Sequence, residues 1–269
     1  MGRAVCAAVS AEADLELVAA VDPSAAGEML GAVVPGLPAS RCAAGTVDAG
    51  SLVIYGGVDA IADDAPDVLV DFTRASVCVP ALEWCARHGV HAVSGTTGVA
   101  GEQIARLRER FTAPGSPNCI LASNFAITAV VLLRLVEIAA AHLDAAEIVE
   151  LHHDAKVDAP SGTALHTAER IALAREASGA GPFSADPTTE VHLEGARGGL
   201  GPMGIRIHAV RLPGLVAHEE VVFGASGQTL TIRHDSFDRR SFMPGVLLAI
   251  RRVAERPGLT FGLGALLDP

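Results

Sequence analysis

The stretch HHDAKVDAPSGTAL, residues 152–165, places His152, His153 and Lys156 within five positions and then runs through Pro160 into Ser161, Gly162 and Thr163. The chain is 50% apolar and only 19% charged, so this cluster of basic side chains is a local concentration of chemistry. Histidine can take or give a proton near neutral pH, and lysine adds a compact positive charge. Pro160 favours an extended residue before it, and Ser161 suits the N-cap of a helix. The first-turn N–H groups of that helix, with its dipole, attract an anion. A small anion held beside a proton donor is the chemistry this combination would serve. Taken singly, each residue is better explained by a capped helix flanked by solvated basic side chains; taken together they favour the anion site. A metal centre fits less well, because adjacent histidines plus a lysine is not a usual ligand spacing.

A second group lies in VSGTTG (93–98), where Gly95, Thr96, Thr97 and Gly98 follow an apolar strand. In parallel sheets ligands bind beyond the carboxyl ends of strands, where glycine lets backbone approach the ligand. VDFT (70–73) and LASNF (121–125) end two other strands in the same manner. Alone, each is ordinary turn chemistry; three polar strand ends in one sheet point to a shared crevice. Asp22 closes LELVAAVD (15–22), where an acid can accept hydrogen bonds from an adenosine ribose. It serves equally well as a turn-capping residue before Pro23. No strand–GxGxxG–helix unit precedes it, and GxSxG, HExxH and Walker patterns are absent, so hydrolase and P-loop readings lack support. His88, His91, His142, His192, His208, His218 and His234 read as structural.

The elements that must position these groups fall into two patterns. In the first half, LELVAAVD (15–22), DVLVDFT (67–73), VHAVSGTTG (90–98) and NCILASNF (118–125) read as strands. Helical patterns separate the last three, over 76–89 and 101–111, which predicts βαβ units and a parallel sheet. Residues 27–52, rich in Gly and Pro, read as irregular. After residue 125 come a helix over 126–143, a strand over 146–153 ending in the two histidines, and a helix from Ser161 to about Ala177. Strands over 204–212, 218–224 and 228–235 follow, the last two joined by a turn, as a largely antiparallel α+β module. A final helix spans 241–255, and the tail over 259–269 can pack back on the first domain. The fold class expected is α/β, a Rossmann-like dinucleotide-binding domain (1–123) with an α+β substrate and oligomerisation domain (124–233). Residues 234–269 would return to the first domain.

At 269 residues the chain can bury a large core. Its net charge of −11 and pI near 5.3 argue against nucleic acid or an anionic membrane as main partner, so an anionic ligand needs a local cationic pocket. Cys6, Cys42, Cys78, Cys85 and Cys119 are odd in number and lack CxxC spacing. They read as reduced thiols in a cytosolic core, with no metal site. The start MGRAVCAAVS lacks a signal peptide's pattern, and the most apolar stretch carries Arg134 and Glu137. The chain therefore reads as soluble and cytoplasmic.

ELHHDAKVDAPSGTAL resembles the signature E-x-H-H-x-x-K-x-D-A-P-S-G-T-A of the 4-hydroxy-tetrahydrodipicolinate (dihydrodipicolinate) reductase family. VDFT, GTTG and NF occur in that family's order, and HAVRLPGLVAHEEVVFG with LTIRHDSFDRRSF resembles its C-terminal portion. The resemblance covers nearly the whole chain. It implies reduction of a small cyclic dicarboxylate, 4-hydroxy-tetrahydrodipicolinate, by NADH or NADPH with loss of water, a step of diaminopimelate and lysine synthesis. It further implies His152 as the acid/base residue, Lys156 as the proton donor, and His153, Ser161, Gly162 and Thr163 as substrate-binding. Gly95, Thr96 and Thr97, with Ala122, Ser123, Asn124 and Phe125, would line the nicotinamide side, and Asp22 the adenosine ribose. The family's C-terminal helix belongs to the cofactor domain, and the sheets of its second domain assemble a homotetramer. MGRAV aligns with the end of the family's glycine loop, G-x-x-G-R-M-G-R, which puts Met1 among the cofactor-binding residues. On that alignment the sheet's first strand would lie upstream of Met1. Competing readings are a related two-domain oxidoreductase acting on another small acid, a nucleotide-binding sensor without turnover, and a shortened, weakly active homologue.

Overall fold

A computed structural model describes residues 1–37, 40–42, 45–64 and 66–267, and of 40–42 and 45–47 the backbone alone. The chain divides into two units, Met1–Ile127 with Arg239–Pro269, and Thr128–Asp238.

The first unit begins with α1 (Gly2–Ala11) and β1 (Ala20–Val21), followed by α2 (Leu30–Val33), β2 (Ser40–Cys42), β3 (Gly45–Val47) and β4 (Ile54–Tyr55). β5 (Val68–Asp71), α3 (Ala75–His88), β6 (His91–Ser94), α4 (Gly101–Thr112) and β7 (Cys119–Leu121) then alternate as the apolar runs predict. α3 stops at Gly89, whose φ of 75° gives the left-handed cap that a residue without Cβ adopts freely. The buried face of α3, with Cys78, Leu82, Trp84 and Cys85, packs with Ala92 of β6 and Cys119 of β7. β5, β6 and β7 pair in parallel. This is a Rossmann-like α/β unit.

Two expectations need correction here. The strand over 15–22 reduces to Ala20–Val21, because its ladder partner β4 offers only two residues; the pair stands as a separate two-stranded parallel sheet. The stretch over 27–52 is not wholly irregular, since it holds α2, the antiparallel pair β2–β3 and a 3₁₀ turn over Ala49–Ser51. The tail contributes β13 (Leu259–Phe261), which extends the sheet to the order β13-β7-β6-β5, after α7 (Met243–Arg252). β4 and β13 are too short to show a two-residue period.

The second unit takes up α5 (Ile127–Ala140) and continues with β8 (Ala145–His152), α6 (Gly162–Ala177), β9 (Gly199–Leu200), β10 (Arg206–Arg211), β11 (Ala217–Ala225) and β12 (Gln228–Ser236). The sheet order is β12-β11-β8-β10-β9. Three neighbouring pairs are antiparallel as expected, but β8 and β10 run parallel, which makes the sheet mixed. The long connection through α6 makes a parallel return possible. Val136 and Ala140 of α5, with Ala164, Ala168 and Ile171 of α6, bury one sheet face through Ile148, Ile207, Val221 and Phe223.

Among the described residues no helix is long and apolar enough to cross a membrane. Cys78, Cys85 and Cys119 are buried free thiols and Cys6 is half-buried; the side chain of Cys42 lies outside the described residues.

Candidate active site

β8 delivers His152 at its last residue, and His153 follows just outside the strand, exposed. Alternation along the strand puts Glu150 on the same face as His152. Glu150 is fully buried, and its Oε2 accepts a 2.6 Å hydrogen bond from His152 Nδ1. The parallel register sets Arg211 of β10 opposite His152. Arg211 grips Glu150 with both terminal nitrogens, Nη1 to Oε2 and Nη2 to Oε1, each at 2.7 Å. Burial pushes the Glu150 carboxyl up, but Arg211, His152 and the Ser161 N–H together hold it below the usual carboxylate range. Burial also pulls His152 below the ordinary imidazole value, despite the opposing pull of Glu150.

The loop after β8 carries Lys156, whose Nζ donates to Asp158 Oδ1 and Oδ2 at 2.7 and 2.9 Å. The Asp158 carbonyl in turn accepts from Arg211 Nη2 at 2.6 Å. Ser161 caps α6 as its sequence position predicts, its Oγ accepting from Ala164 N at 3.2 Å. Its own N–H donates to Glu150 Oε1 at 3.0 Å, and the residue is buried. Gly162 and Thr163 are exposed at the first turn, where helical geometry leaves backbone N–H groups without intrahelical acceptors. His152, Lys156 and the α6 start are thus tied to one buried carboxylate. The cluster can hold an anion and move a proton.

In the first unit, the strand ends converge around Asp71, a buried acid at the end of β5. Its Oδ2 accepts from Ser94 Oγ at 2.8 Å and Thr96 Oγ1 at 2.6 Å, and its Oδ1 accepts from Thr73 Oγ1 at 2.6 Å. Thr96 is therefore buried in this network, while Thr97 is exposed. Gly95 N donates to the Asp71 carbonyl at 2.8 Å. A Cβ at Gly95 would lie 2.1 Å from Phe72 Cε1, so only glycine admits the ring there. Phe72 also meets Phe125, with ring centroids 5.5 Å apart. Ala122 and Phe125 are buried, Ser123 is exposed, and Asn124 Oδ1 caps the Ala126 N–H at 2.9 Å. Asp22 is exposed at the end of β1; Ser24, through hydroxyl and N–H, holds its carboxyl below the usual range, with a smaller pull from Arg3. Met1 stands as N-cap of α1, its carbonyl accepting from Ala4 and Val5.

A dinucleotide is consistent with these residues. Exposed Thr97, Gly98 and Ser123 at neighbouring strand ends offer backbone and short polar groups, among the described residues no atom beyond its chain neighbours lies within 4 Å of a Cβ built on Gly98, and Asp22 is an ionised acceptor for ribose hydroxyls. No group of three or more metal-ligating side chains is found among the described residues.

Motif reading missed Glu150, Asp158, Arg211 and Asp71 as site residues. Glu150 was within reach, two residues before His152 on a strand of period two. Arg211 becomes visible only through the β8–β10 register.

Residues 1–125 match the sequence family described as Dihydrodipicolinate reductase, N-terminus, and residues 128–267 match Dihydrodipicolinate reductase, C-terminus. The chain is 43% identical over 268 residues to the 4-hydroxy-tetrahydrodipicolinate reductase of Nocardia farcinica, covering 100% of this chain and 94% of that protein. With the enzyme of the same name from Corynebacterium diphtheriae the identity is 44% over 269 residues, with the same coverages. The solved structure titled dipicolinate-bound dihydrodipicolinate reductase from Paenisporosarcina sp. TG-14 superposes with a TM-score of 0.82 at 37% identity, covering 99% of this chain and 95% of that one.

Proposed function

The chain belongs to the dihydrodipicolinate reductase family, and we infer from its two clusters how its residues divide the work of that family's reaction. The reaction is the NAD(P)H-dependent reduction of 4-hydroxy-tetrahydrodipicolinate to tetrahydrodipicolinate in diaminopimelate and lysine synthesis. The observation that carries the division is the linkage of His152, the Lys156 loop and the α6 start through Glu150.

In this reading the first-turn N–H groups at Gly162 and Thr163, with Ser161 setting the cap, bind one substrate carboxylate. His153 adds a second polar contact to the substrate. NAD(P)H supplies the hydride when bound, with Gly95, Thr96, Thr97 and Ala122, Ser123, Asn124, Phe125 lining its nicotinamide side. Met1 at the cap of α1 serves the pyrophosphate, and Asp22 the adenosine ribose. Reduction of a conjugated imine leaves an electron-rich substrate carbon, and Lys156 gives it a proton as His152 acts as acid/base. The ammonium and first-turn dipoles offset the negative charge that develops there. To do so, Lys156 exchanges its contact with Asp158 for one with the substrate.

Asp22 favours a free 2′-hydroxyl over a 2′-phosphate, and Pro23 follows where a basic side chain would serve NADPH. NADH is therefore used at least as well as NADPH. Homotetramer assembly has support in the sheet face that α5 and α6 leave uncovered, which carries the half-buried Val149 and Val222. The enzyme works in the cytoplasm on a small molecule, without nucleic acid or membrane as partner. The test is a coupled assay that follows cofactor absorbance with enzymatically generated substrate, run with both cofactors. Binding of cofactor without turnover, or a strong NADPH preference, overturns the corresponding part of the reading.

A further inference from the structure

The carboxylate beneath His152 is unusual in its connections. Glu150 is ionised and fully enclosed, and an ionised carboxylate can only accept hydrogen bonds. The proton in its 2.6 Å contact with His152 therefore sits on Nδ1, which leaves Nε2 as the nitrogen with the free lone pair. Arg211 cancels the charge of Glu150 through two 2.7 Å bonds, so the imidazole is not driven to protonate by an unopposed neighbour. The same guanidinium reaches the Asp158 carbonyl, two residues beyond Lys156, and Glu150 also takes the Ser161 N–H at the helix start.

We propose that Glu150 and Arg211 form a positioning pair that fixes the tautomer of His152, balances its charge and sets the Lys156 loop and the α6 start in one geometry. This rests on the reading of His152 as the acid/base residue. The groups facing the imidazole are Glu150 on its own strand, Arg211 on β10 and Lys156 in the loop. Those facing Glu150 are Arg211, His152, the Ser161 N–H and Glu219 across the β8–β11 register. Neither member of the pair need touch substrate; both act through His152 and the loop.

The pair makes a prediction that a mere brace does not: its two halves should move His152 in opposite directions. Arg211→Met leaves Glu150 unopposed and should raise the pH at which His152 titrates, by about one pH unit. Glu150→Gln removes the attracting charge, should lower that pH, and should free the ring to populate the other tautomer. Turnover of E150Q should fall by about 10²-fold with cofactor affinity kept, the size of a lost acid/base contribution.

The experiment is nitrogen-15 NMR of histidine-labelled protein, with His152 assigned through H152A, alongside kcat and KM for each variant. Opposite shifts with a changed tautomer in E150Q support the pair. Loss of activity in both variants with His152 titrating as in the parent shows a brace only and overturns it. Because a single variant leaves a buried charge without its partner, E150Q/R211M is the companion. An unchanged Nδ1–H tautomer in that double variant also overturns the proposal. If the shifts appear but H152A turns over normally, the positioning pair stands and the acid/base role of His152 falls.

Discussion

Glu219 offers a test of how much stability this site costs. The residue is 4% exposed on β11, opposite Glu150 on β8 and His234 on β12, with Thr167 of α6 against it. Its Oε1 is buried without a hydrogen-bond partner among the described residues. Burial, with a smaller contribution from the charge of Glu150, pushes its carboxyl from the ordinary 4.5 to about 7. A carboxyl raised on folding binds more protons in the native state than in the unfolded one, so native stability declines as pH rises from about 4.5 through about 7. At 1.36 kcal/mol per pH unit, the rise corresponds to about 3 kcal/mol lost between those limits. Glu219→Gln keeps the shape and removes the ionisation. The stability difference between variant and parent should therefore swing in the variant's favour by about 3 kcal/mol between pH 4.5 and pH 8.5. At about 2–4 °C per kcal/mol for a chain of this size, that is a relative gain of roughly 6–12 °C in Tm. Differential scanning calorimetry of both proteins across this pH range measures it. A difference in Tm that is flat with pH would falsify the assignment of an uncompensated buried carboxyl.

Three further outcomes are expected. Lys156→Ala and His152→Ala should each lower kcat by about 10²-fold with cofactor affinity unchanged, whereas His153→Ala should chiefly raise KM; steady-state kinetics with a cofactor titration separate the two patterns. Gly95→Ala drives a methyl group into the Phe72 ring and should destabilise the protein by about 1–3 kcal/mol while weakening cofactor binding, read by denaturant titration and cofactor fluorescence. Burial pushes the Cys78 and Cys85 thiols up to about 12 and Cys119 higher still, so these three should resist a thiol-reactive dye at pH 8 until the protein unfolds; rapid labelling of any one of them in native protein contradicts the packing.

How far the site was legible depends on whether its parts lie close in sequence. His152, Lys156 and Ser161 sit within ten positions, and proline before an N-cap serine announces the α6 start without reference to any other segment. The strands over 67–73, 90–98 and 118–125 were equally plain, because helices of ordinary length separate three compact apolar runs. β4 and β13 were not, since two or three paired residues carry no periodicity and owe their conformation to a partner elsewhere in the chain. Arg211 belongs to the same class. Nothing around it in HAVRLPG marks it, and its role follows from β10 lying parallel to β8 in one register. A shift of that register by one residue would turn its side chain to the opposite sheet face.

That register also accounts for why the second unit keeps a polar strip under its helices. Arg211, Glu150, Glu219 and His234 lie on the face that Ile148, Val221 and Phe223 make apolar farther along the same strands. An apolar replacement for the Glu150–Arg211 pair need not lower stability, since desolvation can offset most of what a buried ion pair gains. Its retention at the end of β8 is thus hard to assign to folding alone, whereas an imidazole with a defined tautomer requires a fixed acceptor at Nδ1 and a cation to balance it. Glu219 extends the strip by one strand with one carboxyl oxygen unbonded among the described residues, and the stability it forfeits near neutral pH is local to the strand beside the one that carries His152. Such a concentration of unfavourable burial beside one histidine is where sequence-level rules of core composition should fail, because the local structure answers to chemistry as well as to packing.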